Sequence, residues 1–429
     1  MQVRSVTTRL LVGAFILLSR PLLARAGNDD AILIGGQASL TAGAITATVS
    51  DGSAAWYNPA GIAKATRNTV DINASAYGIS RIVVDDLFTL PDGTSGEASV
   101  IDWQLVPSAL SYVRELGRVT AGFGIFIPTT TDADLRSHLV ASNGSQWTLA
   151  IDELTNEYDY IVTVGARVTD TFRLGVSVHG IYTSSEEMVQ VGLGSPGEPG
   201  NLFMAYSQHR VLGDYGARLG IGAQWTATPR LDLGAVLVTP TLTGFRRTRL
   251  TELNGVFSGT AEEAEFLSDE QDGTSAVWEL SRPLLLRLGV AYRMGRAQLL
   301  FDGSLTSPLE SREDELDRKL SANARVAMLV QHSDALTYGL GAFTDFNGAR
   351  QLGPDFVGVA GGLSLSSHYH LAETGEPLTF ITTLGGRYAY GWGYTEGVSF
   401  AGAAEGFEYV RARMRVHELA FNLGGCVTF

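Results

Sequence analysis

Apolar and polar residues alternate along most of the chain after residue 68. In residues 172–182, for example, the even-numbered positions are mostly apolar, whereas the odd-numbered positions include Arg173, Ser177 and His179. Successive side chains of a β-strand point to opposite faces, so this pattern predicts a strand with one apolar and one polar face. Comparable segments recur about fourteen times before the C-terminus, which is typical of a β-barrel that crosses a membrane.

The connections between the predicted strands alternate between short and long. Bacterial outer-membrane barrels have short periplasmic turns and longer extracellular loops, so the alternation favours this class of protein. We therefore predict an all-β fold for residues 69–429, a transmembrane antiparallel β-barrel of about 14 strands. The short joints are 115–118, 169–171, 226–230, 295–296 and 332–335, with a looser one at 370–377, and the long ones are 84–104, 129–146, 184–206, 243–274, 307–321 and 393–409.

The C-terminal segment supports the same compartment. Phe421, Leu423 and the terminal Phe429 occupy alternate positions, similar to the aromatic-terminated last strand by which outer-membrane barrels are recognised for assembly. This predicts the cell outer membrane as the location, with outer-membrane lipid and the barrel-assembly machinery as partners. Apolar residues fall on even numbers in 410–416 and on odd numbers from Leu419 onward, which predicts a β-bulge near His417 and Glu418.

The N-terminus has the features of an export signal. Arg4 and Arg9 precede an apolar run, and Ala24-Arg25-Ala26 fits the small-x-small cleavage rule, so residues 1–26 are predicted to be a signal peptide. Its removal takes away four arginines and no acidic residue, which changes the formal net charge from −14 to −18. This acidic balance argues against a nucleic-acid partner. The single cysteine, Cys426, excludes an internal disulfide bond.

Residues 27–68 follow neither the helical nor the strand pattern. They are rich in glycine and alanine, and Pro59 lacks a backbone N–H and blocks continuation of a strand. We interpret 27–68 as a hatch, a plug that folds inside the barrel lumen. Its candidate functional residues are Asn58, Pro59, Ala60 and Gly61, of which Asn58 is expected to hold the turn by side-chain to backbone hydrogen bonds.

The run DGSAAWYNPAGIA at 51–63, behind its small-residue segment, resembles the N-terminal hatch of the FadL/TodX family of outer-membrane transporters for long-chain fatty acids and other hydrophobic compounds. Segments 106–113 and 122–128 resemble the early strands of that family. The resemblance implies passive uptake of a hydrophobic small molecule, a fatty acid or a hydrocarbon, through a lumen that a hatch closes. The outer loops are acidic, so the substrate does not follow from the resemblance.

Several positions predicted to face the lumen could hold a substrate. Ile181, Val236 and Leu285 offer apolar contacts, and Arg173, Arg218 and Arg287 could bind a carboxylate, because guanidinium binds carboxylate through two hydrogen bonds. An alternative is that the inward arginines pair with inward acids and with hatch carbonyl groups. The predicted inward arginines are Arg167, Arg173, Arg210, Arg218, Arg287, Arg293, Arg325 and Arg387, and the acids are Asp159, Asp214, Asp232 and Asp302.

The sequence supports functions other than transport less well. A general porin or a structural barrel is the main alternative, but a porin lumen is polar, and apolar inward positions favour a channel for hydrophobic compounds. Ser177 and His179 share a strand face without a Gly-x-Ser-x-Gly motif, so an enzyme is not expected. His368 and His370 lack a third ligand of suitable spacing, so neither a metal site nor a cofactor is predicted.

Overall fold

The structure, a computed structural model, describes residues 32–194, 203–257, 265–310, 317–350, 352–370, 377–400 and 408–429. The predicted signal peptide, the first residues of the predicted hatch (27–31) and most of the joint at 370–377 lie outside this part of the chain. Among the described residues, no helix is long and apolar enough to cross a membrane.

The described chain forms one closed sheet of seventeen strand segments, in which the first segment pairs with the last. The segments are β1 Thr69–Thr89, β2 Ser95–Leu116, β3 Val119–Phe126, β4 Thr130–Val140, β5 Gln146–Arg167, β6 Phe172–Gly194, β7 Phe203–Thr228, β8 Leu231–Val238, β9 Thr241–Phe257, β10 Glu265–Arg282, β11 Leu285–Met294, β12 Ala297–Thr306, β13 Ser321–Gln331, β14 Leu336–Asp345, β15 Gly353–His370, β16 Pro377–Ser399 and β17 Glu408–Thr428.

Three strands of the barrel wall are interrupted next to a proline. The breaks lie at Pro128, Pro240 and Pro283, and proline cannot donate a hydrogen bond to the neighbouring strand. Pairing resumes after each break: β3 and β4 both pair with β5, β8 and β9 both pair with β7, and β11 and β10 pair with β8 and β9. The seventeen segments therefore build fourteen wall strands, and the predicted barrel of about fourteen strands is confirmed.

The outer face of the wall is apolar over its middle part. Large hydrophobic side chains point outward there with exposed fractions between 47% and 64%, an arrangement suited to lipid. We call this surface the apolar belt. Its members include Ile72, Leu110, Phe123, Val162, Val176, Ile221, Leu288, Phe301, Val326, Leu340, Val359, Leu384 and Phe421.

The wall extends further than the sequence suggested. Residues predicted to lie in the long loops 84–104, 129–146, 184–206 and 243–274 belong largely to strands. The reason is an inversion of the pattern at what we call the upper end of the barrel, the end with the longer connections. In β4, Ala133 and Leu135 are buried whereas Asp132, Asp134 and Arg136 are exposed, so here the apolar side chains point inward.

The same inversion explains the C-terminal strand. β17 pairs with β16 without a register shift, so the predicted β-bulge near His417 and Glu418 is wrong. Its even-numbered side chains point inward throughout: Met414 and Val416 are buried at the upper end, whereas Leu419 and Phe421 belong to the outward face. The polarity of the two faces changes along the strand, and the register does not.

Residues 32–68, which we call the N-terminal segment, fold inside the barrel. They form two short helices, Gly36–Leu40 and Ala54–Tyr57, and a 3₁₀ helix, Pro59–Lys64. These elements contact β3, β5, β6 and β7 on one side and β14 to β17 on the other. Because these two groups of strands lie on opposite sides of the closed sheet, the N-terminal segment occupies the lumen between them.

Candidate functional site in the barrel interior

The interior of the barrel has three layers, which can be followed along single strands. Along β5, the inward side chains are first Leu149 and Ile151, then Glu157 and Asp159, and finally Gly165, which lies against the N-terminal segment. β16 shows the same order, with Val398 above Arg387 and Arg387 above Gly385. The lumen is therefore apolar at its upper end, charged in the middle and filled by the N-terminal segment below.

The top layer is a group of buried hydrophobic side chains, which we call the upper apolar cluster. The rings of Phe88, Trp147 and Phe400 meet near its top, with centroids 5.2–5.8 Å apart. Burial of each such side chain contributes about 1.5–3 kcal/mol, so the cluster both stabilises the rim and offers apolar surface. It is the upper part of a hydrophobic cluster that continues down to the N-terminal segment. Its members are Val84, Leu87, Phe88, Leu90, Ala98, Leu135, Leu149, Ile151, Val189, Tyr206, Val398, Ala412, Met414 and Val416, with Leu139, Trp147 and Phe400 packed against them.

The hairpin of β1 and β2 closes over this cluster. β1 changes direction at Asp86, which has a positive φ of 55°, and its register against β2 shifts between Val84 and Phe88. Phe88 then pairs in parallel with Val398 of β16. The tip of the hairpin therefore bends inward and carries Phe88 across the mouth of the barrel. No sequence pattern predicts this bend, because Asp86 lies in a stretch predicted to be a loop.

The middle layer consists of buried ion pairs. Arg246 contacts Asp214 and Glu279, each at 2.8 Å, and Arg387 lies 2.7 Å from Glu418. Further pairs of this layer are Arg282 with Glu157 and Arg218 with Asp159 at 2.9 Å. Arg293, which is half exposed, pairs with Asp232 at 2.5 Å beside the lower turns. For Arg218, Arg293 and Arg387, the structure thus agrees with the alternative in which inward arginines pair with inward acids.

Arg218 belongs to a network that holds a ring of the N-terminal segment. Asp159 accepts from Arg218 and contacts His179 Nδ1 at 2.9 Å, and His179 Nε2 lies 2.9 Å from Ser177 Oγ. The Arg218 guanidinium lies 5.1 Å from the centre of the Trp56 ring, within the range of a cation–π contact. Ser177 and His179 thus meet an acid, but Ser177 is only 1% exposed, and a substrate cannot reach its hydroxyl in this conformation.

Asn58 fixes the N-terminal segment to itself and to the wall. Its Nδ2 donates to the carbonyl oxygens of Thr46 (2.8 Å) and Ala223 (3.0 Å), and its Oδ1 accepts from the Ala60 N–H (3.1 Å). Asn58 is fully buried, and Pro59 begins the 3₁₀ helix directly after it. The expected side-chain to backbone bonds are therefore present, and one of them joins the turn to β7.

A row of wall glycines, which we call the glycine row, makes room for the N-terminal segment. A Cβ added to Gly175 would lie 2.2 Å from the carbonyl carbon of Pro59, and one added to Gly222 would lie 2.1 Å from Asn58 Oδ1. Gly165, Gly234 and Gly289 make similar close approaches to the segment. Sequence reasoning missed this row. The feature of the sequence that indicates this row is the recurrence of glycine on the polar face at the lower ends of the strands.

Lys64 closes the lower side of the segment. Its Nζ donates to the carbonyl oxygens of Ala47 (3.2 Å) and Thr48 (3.1 Å). Burial lowers the pKa of the Lys64 ammonium to about 8, and the nearby carboxylate of Asp232 opposes that shift. Asp302 of β12, two strands from Asp232 of β8 in the sheet, accepts from the Thr46 N–H at 2.8 Å.

The six predicted substrate contacts do not form one group. Arg287 lies opposite Val236 across the β8–β11 pair and two residues from Leu285, so these three are close together. Ile181 is buried next to the His179 network on β6. Arg173 lies near the lower turn, beside Arg167 and 3.4 Å from the Asp170 carbonyl oxygen, and is separated from the other five.

Arg287 and Leu285 line a pocket of mixed character beside the wall break at Pro283. Two guanidinium groups, several hydroxyl groups and one carboxylate face it, together with a few apolar side chains. The enclosed space is about 20 Å³, which is room for about one water molecule, so a larger ligand would need the lining to move. The lining residues are Pro283, Leu285, Arg287, Ser304, Thr306, Arg318, Ser321, Asn323, Asp345, Phe346 and Gly348.

Neither a scan against protein-family models nor a search of curated proteins finds a match to this sequence. Solved structures with the same architecture include a Pseudomonas aeruginosa FadL homologue, with 14% identity, 94% of this chain and 100% of that chain covered, and a TM-score of 0.59. The toluene transporter TodX of P. putida has 15% identity, with 93% of this chain and 99% of that chain covered and a TM-score of 0.57. The toluene transporter TbuX of Ralstonia pickettii has 13% identity, with 92% of this chain and 98% of that chain covered and a TM-score of 0.53.

These similarities extend over nearly the whole chain at low sequence identity, so what they establish is the fold. The resemblance inferred from residues 51–63 is confirmed at this level: the chain has the fold of the FadL and TodX channels.

Proposed function

We propose that this chain is an outer-membrane channel of the FadL/TodX family, through which a hydrophobic small molecule enters passively. The observation that carries the proposal is the upper apolar cluster, which lines the lumen at the end with the longer connections. A general porin has a polar, water-filled lumen, and a cluster of this kind would obstruct its function. The structural neighbours described as a toluene transporter and as a monoaromatic hydrocarbon channel support the same class of substrate.

In this proposal the N-terminal segment acts as the hatch. Residues 1–26 direct export, 27–68 form the hatch and 69–429 form the barrel, which the barrel-assembly machinery inserts among outer-membrane lipids. A substrate would enter the upper apolar cluster from outside and then meet the ion pairs of the middle layer. Passage further down requires the hatch to move, since Asn58 ties it to β7 and the glycine row encloses it.

A long-chain fatty acid is the substrate that the pocket around Arg287 favours over a neutral hydrocarbon. The carboxylate would bind the guanidinium of Arg287, and Leu285 and Val236 would contact the alkyl chain. Arg218 suits this role less well, because it does not line this pocket. Arg173 lies too far down the wall, beside Arg167.

Arginine variants test the fatty-acid proposal. We expect Arg287→Gln to reduce fatty-acid uptake about tenfold while sparing a neutral hydrocarbon of similar length, since a charge-assisted hydrogen bond contributes about 1.5–3 kcal/mol. Arg173→Gln is the matched control and should leave both uptake rates unchanged. Equal losses for both substrates in Arg287→Gln would assign this arginine to structure instead.

The transport proposal itself is tested by uptake and conductance together. Cells that carry the protein should accumulate a radiolabelled hydrophobic compound faster than cells that lack it. The purified protein should show little ion conductance in a planar bilayer, because the N-terminal segment fills the lower lumen. A large, steady, ohmic conductance without any difference in hydrophobic uptake would identify a general porin and refute the proposal.

A further inference from the structure

The outer surface of β17 carries a basic run directly above the apolar belt. Leu419, Phe421 and Leu423 face outward within the belt, and the same face continues upward through His417 to three exposed arginines. Alternate residues of a strand lie about 6.6–6.8 Å apart on one face, so three like charges are held close together. The three are Arg411, Arg413 and Arg415.

Neighbouring strands widen this surface. Arg81 of β1 is exposed and lies opposite His417 across the β1–β17 pair. On β16, Tyr388 Oη lies 2.9 Å from His417 Nδ1, and the Tyr390 ring centre lies 5.0 Å from that of His417. We call this surface the basic patch. It comprises Arg81, Tyr388, Tyr390, Trp392, Arg411, Arg413, Arg415 and His417.

The arginines of the basic patch are only partly neutralised. Arg415 pairs with Asp85 at 2.8 Å and with Glu97 at 3.7 Å, and Glu396 lies opposite Arg411 in the β16–β17 register. Within the described ranges, the structure records no ion pair for Arg81, Arg411 or Arg413.

Exposed arginines elsewhere at the upper end differ from these three. Arg136 pairs with Asp134 and Asp152, and Arg247 and Arg249 both reach Asp272. Among the exposed arginines of the upper end that the structure describes, those without an ion-pair partner therefore lie together, although the chain has a formal net charge of −14.

We infer that the basic patch binds the phosphate groups of a lipid in the outer leaflet, and that this lipid is a phosphorylated glycolipid. The charges are complementary, and guanidinium groups bind phosphate oxygens through paired hydrogen bonds. The position fits a lipid, because the acyl chains would lie on the apolar belt below, beside Leu419 and Phe421. Aromatic rings at this height are typical of the interface, and Trp392 and Tyr390 would pack against the sugar rings.

The test is a titration of the purified protein in dodecyl maltoside with diphosphoryl lipid A, followed by native mass spectrometry. The triple variant Arg81→Gln, Arg411→Gln, Arg413→Gln should bind at least about tenfold more weakly than the wild type. The matched control Arg247→Gln, Arg249→Gln removes two exposed arginines that already have acidic partners. It should change the affinity less than about twofold, because exposed ion pairs contribute little.

Two outcomes would overturn the inference. One is equal affinity of the triple variant and the wild type, provided that both keep the heat-resistant compact form on gel electrophoresis. The other is competition by inorganic phosphate at concentrations similar to those of lipid A, which would reveal an anion site that does not recognise the lipid. Because the assay measures no transport, its failure is distinct from a failure of the uptake proposal.

Discussion

The upper apolar cluster and the lower layer of the lumen are built in different ways. The upper cluster consists of large side chains such as Phe88, Leu149 and Met414, which pack without directional bonds. The lower layer contains the N-terminal segment, in which alanine, glycine and threonine lie among large buried side chains such as Ile45 and Tyr57. Hydrogen bonds from Asn58, Gln224 and Lys64 to backbone carbonyl groups hold the segment in place.

This difference in construction suits the two regions to different functions. Apolar contacts are non-directional, so a cluster of flexible hydrophobic side chains can accept molecules of different shapes. Buried hydrogen bonds to backbone groups fix one arrangement, because each group left without a partner costs about 1–3 kcal/mol. The upper region is therefore suited to binding and the lower region to closure. The following changes separate the two roles.

The largest expected effect comes from filling the glycine row. In Gly175→Ala, the new Cβ would overlap the carbonyl carbon of Pro59, and overpacking of this kind costs about 1–3 kcal/mol. We expect the N-terminal segment to be displaced and the ion conductance in planar bilayers to rise more than about tenfold, with the barrel intact. Gly386→Ala is the control, since its Cβ would meet no atom within 4 Å. Similar conductance in both variants would show that the segment does not close the lumen.

Polar substitution in the upper apolar cluster should weaken binding without opening the channel. Val189→Thr with Val416→Thr keeps the volume of both side chains but adds two buried hydroxyl groups. Each costs about 1–3 kcal/mol, so the affinity for a neutral hydrocarbon should fall about tenfold in a tryptophan-quenching titration. Val140→Thr, at an exposed position of the same end, should bind normally. If conductance changed and affinity did not, the roles of the two regions would be reversed.

Removal of the Asn58 side chain should loosen the N-terminal segment more mildly. Asn58→Ala loses three hydrogen bonds and leaves the carbonyl groups of Thr46 and Ala223 without these donors. A loss of about 1 kcal/mol corresponds to a rise in conductance of about fivefold, with assembly into the membrane unaffected. Unchanged conductance together with unchanged uptake would restrict Asn58 to a local role.

The smallest expected effect is a pH dependence of the docking of the N-terminal segment in the lumen. The pKa of Lys64 is lowered to about 8 by burial in the docked segment and returns to about 10.5 when the segment is released. The released state binds more protons between these values, so docking strengthens as pH rises from 8 towards 10.5. Residual conductance should fall about two- to fivefold over that window in the wild type, whereas Lys64→Met, which cannot titrate, should lack this change. Parallel profiles for both proteins would contradict the assignment.

Much of the barrel could be predicted from local sequence patterns. The alternation in residues 172–182 predicts a β-strand, and an asparagine followed by a proline, as at Asn58 and Pro59, predicts a turn. The predicted inward positions of Ile181, Val236 and Arg287 are buried in the structure, because the period of two holds over the membrane-spanning part of each strand.

The remaining features depend on contacts between distant parts of the chain. Asp159 and Arg218 are 59 residues apart, so no local pattern could show that this arginine is already paired. To predict the inversion at the upper end, one must also know where the membrane ends, since Met414 and Leu419 point to opposite faces although both are apolar. A single sequence does not show where lipid ends and water begins along a strand.

The most direct test of the account is a crystal structure of the protein with a neutral iodinated alkane, located by anomalous scattering. We predict iodine among the upper apolar cluster, between Phe88 and Met414, with the N-terminal segment still in place below. Iodine found only on the outward apolar belt, or found in the lower lumen in place of a displaced N-terminal segment, would contradict the division between an upper binding region and a lower closure.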